Sequence, residues 1–350
     1  MQFKPDFNRL KKVLLREGEP DIVPLFEYFA DPEIIAVVTG KCADAEGITE
    51  FYYKLGYDYV YATANFKYEI IKNTANDTAE LSRGSREFVD ENKGIIENRG
   101  DFDRYNWPEI DGAVAYNILQ TERLLPEGMK IIIDLAPGGI FECVMWLMGY
   151  VPFSYALYED EQLLWDMFEK ITDNMLKVIR YCVETPDMRN IGAIAYGDDM
   201  GFKHSTMISP DMLRKFVFPF QKKVASFVHG YGLPLIFHSC GKLDEIMDDL
   251  IDYVQIDAKH SFEDIIMPVT EAKKKYGGRV ALLGGVDIDF LCRANEEELR
   301  EYIDKIIRIC APGGGFAIGT GNSVANYVPV KNFLVMLDQC KRNGVYPIKV

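Results

Sequence analysis

The chain has 350 residues, 48% of them hydrophobic and 27% charged, with a formal net charge of -15. That balance is expected of a soluble globular protein, and so acidic a surface repels phosphate backbones and anionic lipid, which argues against nucleic acid and membrane as partners. A highly anionic substrate is disfavoured as well, unless a local basic pocket receives it.

The first residues, Met1-Gln2-Phe3-Lys4-Pro5-Asp6, lack the apolar core of a signal peptide. Eight short apolar runs follow, and each reads as a strand: Ile22–Phe26, Tyr57–Ala62, Lys130–Asp134, Asn190–Tyr196, Pro234–Phe237, Tyr253–Asp257, Arg279–Leu283 and Phe316–Gly319. Several are continuously apolar, as parallel strands covered on both faces are. Between the second and third runs, Asn65 to Arg123 is long, polar and charged, and reads as an insertion packed over the second βα unit. The most apolar stretch, Gly138 to Leu157, contains Glu142 and Pro152, so no transmembrane segment is expected there.

Helix starts fall between the strands. Asp160-Glu161 begins one. Ser209-Pro210-Asp211 begins another, with Ser as N-cap, Pro at the first helical position and Asp in the first turn. Asn295 before three glutamates begins a third, with acidic residues at the positive end of the helix dipole. Gly313-Gly314-Gly315 stands where a helix C-cap and turn belong, so it reads as structural rather than as a phosphate loop.

Strand–helix alternation repeated eight times predicts an α/β fold, a single (β/α)₈ TIM barrel spanning 1–350. The doubly wound alternative needs a G-x-G-x-x-G after its first strand, where Glu27-Tyr28-Phe29 stands instead. The seven cysteines are odd in number and without paired spacing, a pattern that suits a reducing cytoplasm better than a disulfide framework.

A barrel carries its working residues at the C-terminal ends of its strands. Read in order, those ends hold Glu27, Thr63, Asp134, Asp198-Asp199, His238 with Cys240, Asp257 with His260 behind it, the Gly284-Gly285-Val286-Asp287 turn, and Thr320 with Asn322. Residues two apart on a strand share a face, so His238 and Cys240 converge, and both are good ligands for zinc. A core histidine beside a small buried thiol is the bland reading of the same pair. Two ligands are one short of the three that a catalytic zinc takes from protein. Of Asp198 and Asp199, neighbours on a strand, one is expected to face the pocket. Asp257 could also merely cap the next helix.

Together these residues resemble the uroporphyrinogen decarboxylase superfamily, which includes corrinoid-dependent methyltransferases. The resemblance is carried by Pro137-Gly138-Gly139-Ile140-Phe141, Leu157-Tyr158-Glu159-Asp160, Gly197-Asp198-Asp199-Met200-Gly201, Ile208-Ser209-Pro210 with Phe218-Pro219-Phe220, His238-Ser239-Cys240-Gly241, Gly284-Gly285-Val286-Asp287 and Pro312-Gly313-Gly314-Gly315-Phe316.

The resemblance implies one of two activities. The decarboxylase branch carries paired arginines near its N-terminus, an aspartate after strand two and a histidine after strand eight. Here Glu27-Tyr28-Phe29-Ala30, Thr63 and Thr320 stand at those places. The methyltransferase branch carries H-x-C after strand five and a further cysteine after strand eight, together binding zinc. This chain keeps His238 and Cys240 and has Thr320 at the second-cysteine position, so a carboxylate, Glu27 or Asp199, is the candidate third ligand. The implied activity is methyl transfer between a small methylated compound or thiol and the cobalt of a corrinoid held by a separate corrinoid-binding protein. His238 and Cys240 are then metal ligands, Glu27, Asp199 and Asp257 catalytic, and Thr320 and Asn322 cofactor-facing. Tetrapyrrole decarboxylation and non-catalytic corrinoid or small-ligand binding are the alternatives.

Overall fold

The computed structural model describes residues 4–90 and 92–349; Met1-Gln2-Phe3 of the N-terminal reading lies outside them. Nine strands form among these residues: β1 (Tyr59–Thr63), β2 (Lys72–Asn76), β3 (Ser85–Val89), β4 (Lys130–Asp134), β5 (Ile191–Gly197), β6 (Leu235–His238), β7 (Ala258–His260), β8 (Ala281–Leu283) and β9 (Phe316–Ala317). Seven of them make one parallel sheet in the order β1-β4-β5-β6-β7-β8-β9. Every residue of β5 and β6 is buried, which is why these strands read as unbroken apolar runs.

Helices cover the sheet, and their starts follow from local chemistry. Asp160 accepts from the Leu163 amide to open Glu161–Glu184, and Ser209 accepts from the Met212 amide to open Pro210–Phe216. Asn295 and Glu298 form a reciprocal capping box at the head of Glu296–Cys310. That helix buries Leu299, Ile303, Ile306, Ile307 and Cys310, spaced three to four apart on one face, against Val330–Asn343. The apolar stretch read from Gly138 to Leu157 is two helices, Ile140–Met148 and Tyr150–Glu159, bent by 102°. Among the described residues no single helix is long and apolar enough to cross a membrane. The polar segment after β1 folds into the β2–β3 hairpin, a short helix Arg99–Arg104 and the helix Tyr116–Leu124.

Two strand expectations are corrected. Ile22–Phe26 forms no regular strand, so the expected closed ring of eight becomes a seven-stranded parallel sheet with a bridged eighth segment. Leu25 bridges Ile318, with the Phe26 amide donating to the Ile318 carbonyl at 2.8 Å and the Ile318 amide to the Pro24 carbonyl at 2.9 Å. On the β1 side a side chain takes the place of the ladder: the Tyr59 hydroxyl accepts from the Glu27 amide and donates to the Glu27 carbonyl, both at 2.7 Å. Pro24 has no amide proton to extend the pairing.

The sixth strand is displaced as well. Asp249–Val254 is a π-helical turn that ends where Gln255 takes a left-handed φ of 70°, and the strand begins at Ala258. Ile251 and Val254 bury themselves from a helix rather than a strand, an ambiguity inherent in short apolar runs.

Candidate active site

The site is assembled at the C-terminal ends of β5, β6 and β7. β6 ends at His238, Ser239-Cys240 follows, and the Cys240 sulfur lies 3.4 Å from His238 Nε2. Past β5, Asp198 and Asp199 part company, as neighbouring positions do. Asp198 is fully buried. It accepts from the Phe141 and Glu142 amides at a helix N-terminus, from the Tyr196 hydroxyl and from Gln221 Nε2. Gly139 permits that approach, since a Cβ there would fall 2.1 Å from the Asp198 carboxyl carbon. Asp199 turns to the mouth. Its Oδ1 accepts from the Cys240 amide at 2.7 Å and lies 3.8 Å from His238 Nε2. Gly201 and Gly241 meet backbone to backbone beneath this contact: Gly241 has a φ of 79°, and a Cβ on it would stand 2.3 Å from Gly201. Asp199, His238 and Cys240 thus present one oxygen, one nitrogen and one sulfur, all within 4.8 Å of one another, a set that could hold a metal ion.

The ring of His238 is oriented from behind. His260, its register partner on β7, offers Nδ1 to His238 Nδ1 at 2.8 Å, while His260 Nε2 lies 3.3 Å from the Thr320 carbonyl. A carbonyl can only accept, so His260 carries its proton on Nε2 and its Nδ1 accepts from His238 Nδ1–H. This assignment leaves the lone pair of His238 on Nε2, facing Cys240 and Asp199. Tyr28 stacks on His238, with centroids 4.4 Å apart and planes at 21°, and its hydroxyl reaches Asp134 Oδ1 at 3.2 Å. Burial, reinforced by His260 and Lys259, holds the His238 pKa well below its ordinary value, and burial with Lys259 takes His260 down to about 3. Both rings are therefore neutral at pH 7. Burial, then Asp199, pushes the Cys240 thiol up to about 12, so without a cation the sulfur keeps its proton.

Lys259 stands under this group. Its ammonium donates to the carbonyls of Ser239, His260 and Ser261 at 2.9, 2.8 and 2.8 Å. Three donors meet three acceptors, so one buried cation clamps the ends of β6 and β7 together. Burial lowers its pKa to about 8, which leaves it charged at pH 7.

The structure separates the remaining residues singled out in the sequence. Asn322 joins the group, its Nδ2 donating to the Cys240 sulfur at 3.3 Å. Glu27 and Thr320 form a pair of their own: Glu27 accepts from the Thr320 amide at 3.0 Å and shares a close contact with its hydroxyl, which also lies 2.6 Å from the Asn322 carbonyl. One hydroxyl proton cannot serve both acceptors. The arrangement closes when Glu27 carries a proton toward Thr320 and Thr320 donates to Asn322, and burial raises the Glu27 pKa to about 8. Asp257 is a correction. It precedes β7, at the far end of the sheet from Cys240, and its carboxylate binds His229 Nε2 at 2.8 Å and the Leu235 amide at 2.7 Å.

Residues 95–343 match the model of the uroporphyrinogen decarboxylase (URO-D) family. The chain belongs to that family. The chain is 27% identical over 240 residues to the methylcobamide:CoM methyltransferase MtaA of Methanosarcina barkeri, over 65% of this chain and 67% of that one. It is 24% identical over 235 residues to MtaA of Methanosarcina barkeri strain Fusaro / DSM 804, over 64% of this chain and 65% of that one. The alignments thus span about two thirds of those relatives. A methyltransferase from Methanosarcina mazei superposes with a TM-score of 0.70 at 18% identity, over 97% of this chain and 99% of that one, and so shares the fold.

Sequence reasoning missed four residues of this URO-D site: His260 and Lys259 as orienting groups, Tyr28 as a stacking partner and Glu142, whose amide donates to Asp198. His260 was visible behind Asp257, but placing the strand too early put Asp257 in its position. Lys259 gave no signal, because a lysine in a sequence reads as surface.

Proposed function

We propose that this chain is a corrinoid-dependent methyltransferase, moving a methyl group between a small methylated compound or thiol and the cobalt of a corrinoid carried by a separate protein. The observation that carries the reading is the Asp199–His238–Cys240 group at the strand ends. The MtaA relatives support it by name. A decarboxylase handling a polycarboxylate needs cations in its mouth, whereas the carboxylate that this chain turns to the mouth is Asp199. Arg83 and Arg86, on the β2–β3 hairpin, are held by Asp31, Glu33 and Asp77. Zinc is the metal the donors suit. Ligand atoms about 2.0–2.3 Å from a tetrahedral zinc stand roughly 3.4–3.6 Å from one another, close to the 3.4 and 3.8 Å found here. When bound, zinc supplies the charge that turns a coordinated thiol into a thiolate near neutral pH.

The chain's own residues prepare that chemistry. His260 sets the tautomer that frees His238 Nε2, Tyr28 holds the ring plane, and Asn322 gives the sulfur a donor that favours its anion. Lys259 fixes the backbone on which Ser239, His260 and Ser261 sit. The same reading treats the curled sheet as a barrel with Ile22–Phe26 in its eighth position. All seven cysteines are free, which supports a reducing compartment, and we propose the cytoplasm.

Two results test the reading. Purified protein supplied with zinc should demethylate methylcobalamin in the presence of an acceptor, followed by the cobalamin spectrum, and should not convert uroporphyrinogen to coproporphyrinogen at a useful rate. Robust coproporphyrinogen formation would reverse the ranking. His260→Phe should lower zinc affinity by roughly 10–100-fold, the usual cost of losing a residue that orients a ligating histidine. Competition with a chromophoric chelator measures it, and unchanged affinity would remove His260 from the site.

A further inference from the structure

Beside the metal-ligand group lies a pocket that the reading above leaves unassigned. It has a volume of about 240 Å³ and opens against Asp199, with Met145, Trp146, Tyr150, Phe202 and Met207 in its walls. An apolar cavity of roughly 150 Å³ holds benzene, so this pocket has room for one ring and a small substituent. Its lining holds no lysine, arginine or histidine.

Two walls face each other. Glu142, Met145 and Trp146 stand three and four apart on Ile140–Met148 and so share one helix face. Gly138 lets the indole lie close against the backbone, since a Cβ there would fall 2.6 Å from it. The other wall is the turn after β5. There the Phe202 amide donates to the Ser205 carbonyl at 2.7 Å and the Met207 amide to the Met200 carbonyl at 2.8 Å, which holds both side chains in place. Tyr150 ties the walls together: its hydroxyl donates to the Met207 carbonyl at 3.0 Å and its ring lines the cavity. Phe202 is 51% exposed, so the pocket opens to solvent past its ring.

Neither carboxyl group in the lining is free to balance a charge. Asp199 belongs to the metal group and accepts from the Cys240 amide. Glu142 is largely buried, and its carboxyl group accepts from the Asp199 and Gly139 amides. Burial, with Asp199 and Asp198 beside it, holds its pKa well above the ordinary value. A cation therefore meets no free anion here, and an anion meets no cation.

We infer that this pocket binds a neutral compound with a single aromatic ring, packed among Trp146, Tyr150 and Phe202 with Met145 and Met207 at its edge. Aromatic rings attract one another edge to face or offset, and thioether sulfurs favour ring edges. On the methyl-transfer reading, on which this part rests, the compound is an aryl methyl ether with its methyl group toward the metal. The O–CH₃ bond breaks and a Co–CH₃ bond forms at a Co(I) corrinoid, which is formally oxidised to Co(III). The phenolate that leaves takes a proton from water.

Calorimetric titration of the full chain supplied with zinc tests this directly, using methoxybenzene and three analogues. Methoxycyclohexane lacks the aromatic ring, 2-methoxybenzoate is an anion, and 2-methoxybenzylamine is a cation at neutral pH. The ortho position keeps each charge beside the ether. Methoxybenzene should bind saturably and at least about ten-fold more tightly than each analogue. The saturated ring forgoes the aromatic contacts, and either charge would be buried unpaired. Trp146→Leu should weaken methoxybenzene at least about ten-fold. Tyr158→Ser, at a 76% exposed aromatic outside the pocket, should leave binding unchanged. Thermal melts confirm that the variants fold, and if Trp146→Leu does not, the ligand series on the wild type decides alone. No saturable binding of methoxybenzene, binding of any analogue within ten-fold of it, or an equal loss in Tyr158→Ser would overturn the inference. Methylcobalamin demethylation, run in parallel, separates the two readings. No methoxybenzene binding with demethylation intact overturns the pocket assignment alone. Methoxybenzene binding without demethylation supports the pocket and overturns the reaction.

Discussion

Cys240→Ala should take metal content from the proposed level of about one ion per chain to background, and methyl transfer should fall with it. The expectation follows from the geometry. Cys240 supplies the sulfur that lies 3.4 Å from His238 Nε2, and its amide is already committed to Asp199. Alanine keeps the backbone contact and removes only the sulfur. Losing an outer residue around a ligand costs roughly 10–100-fold in affinity, so losing the ligand itself costs more. Asp199→Ala should weaken the metal, whereas Glu27→Ala should leave it bound, because Glu27 spends its carboxyl group on Thr320. Elemental analysis of protein purified without chelator, with methylcobalamin demethylation on the same samples, gives both numbers. Metal-free wild type with full activity would sink the assignment.

Glu27→Gln should stabilise the protein above neutral pH and flatten its pH dependence. Burial raises the Glu27 pKa from 4.5 to about 8. Between those two values the folded chain holds a proton that the unfolded chain has released. Unfolding then releases a proton, so stability falls as pH rises, and the loss is complete above the folded pKa. Each unit is worth about 1.4 kcal/mol, so the full effect is several kcal/mol. Asp58, Asp134 and Asp198, each raised to about 6 mainly by burial, act in the same direction but finish lower. The span from about pH 7 to 8.5 is therefore where the Glu27 variant and wild type diverge most. Glutamine reproduces the neutral acid: its amide can donate to Thr320 Oγ1 while its carbonyl accepts from the Thr320 amide. Urea unfolding at about pH 5.5, 7 and 8.5 measures it. Parallel curves for the two proteins would show that Glu27 holds no proton in the native state.

Much of this molecule was legible in its sequence, for reasons that differ from residue to residue. Lys130–Asp134 reads as a strand and is one, because a run buried on both faces has no choice but to be apolar. Ser209, Asp160 and Asn295 marked helix starts because capping is local chemistry between residues three apart. The strand period brought His238 and Cys240 together in the sequence reading, and they do meet, although β6 ends at His238 and the Cys240 amide is held by Asp199. The failures share a cause. Tyr253–Asp257 was misplaced because the length of an apolar run does not say whether a helix or a strand buries it, and Asp257 went with it to the wrong end of the sheet. Ile22–Phe26 lost its ladder to the Tyr59 hydroxyl, a side-chain contact across 32 positions that no local pattern encodes.

By itself the sequence determined most of the element types, the caps, the acidic field and the nearness of a histidine and a cysteine at the end of one strand. Only the tertiary structure decided that Asp199 rather than Glu27 stands with them, and that His260 sets the tautomer of His238. The division is physical. Periodicity and capping depend on neighbours within a turn or two of chain, whereas a site depends on which strand ends the parallel sheet sets side by side. Glu27 and Asp199 are both carboxylates after apolar runs. What separates them is that Glu27 meets Thr320, 293 positions away, and Asp199 meets the Cys240 amide across the β5–β6 seam.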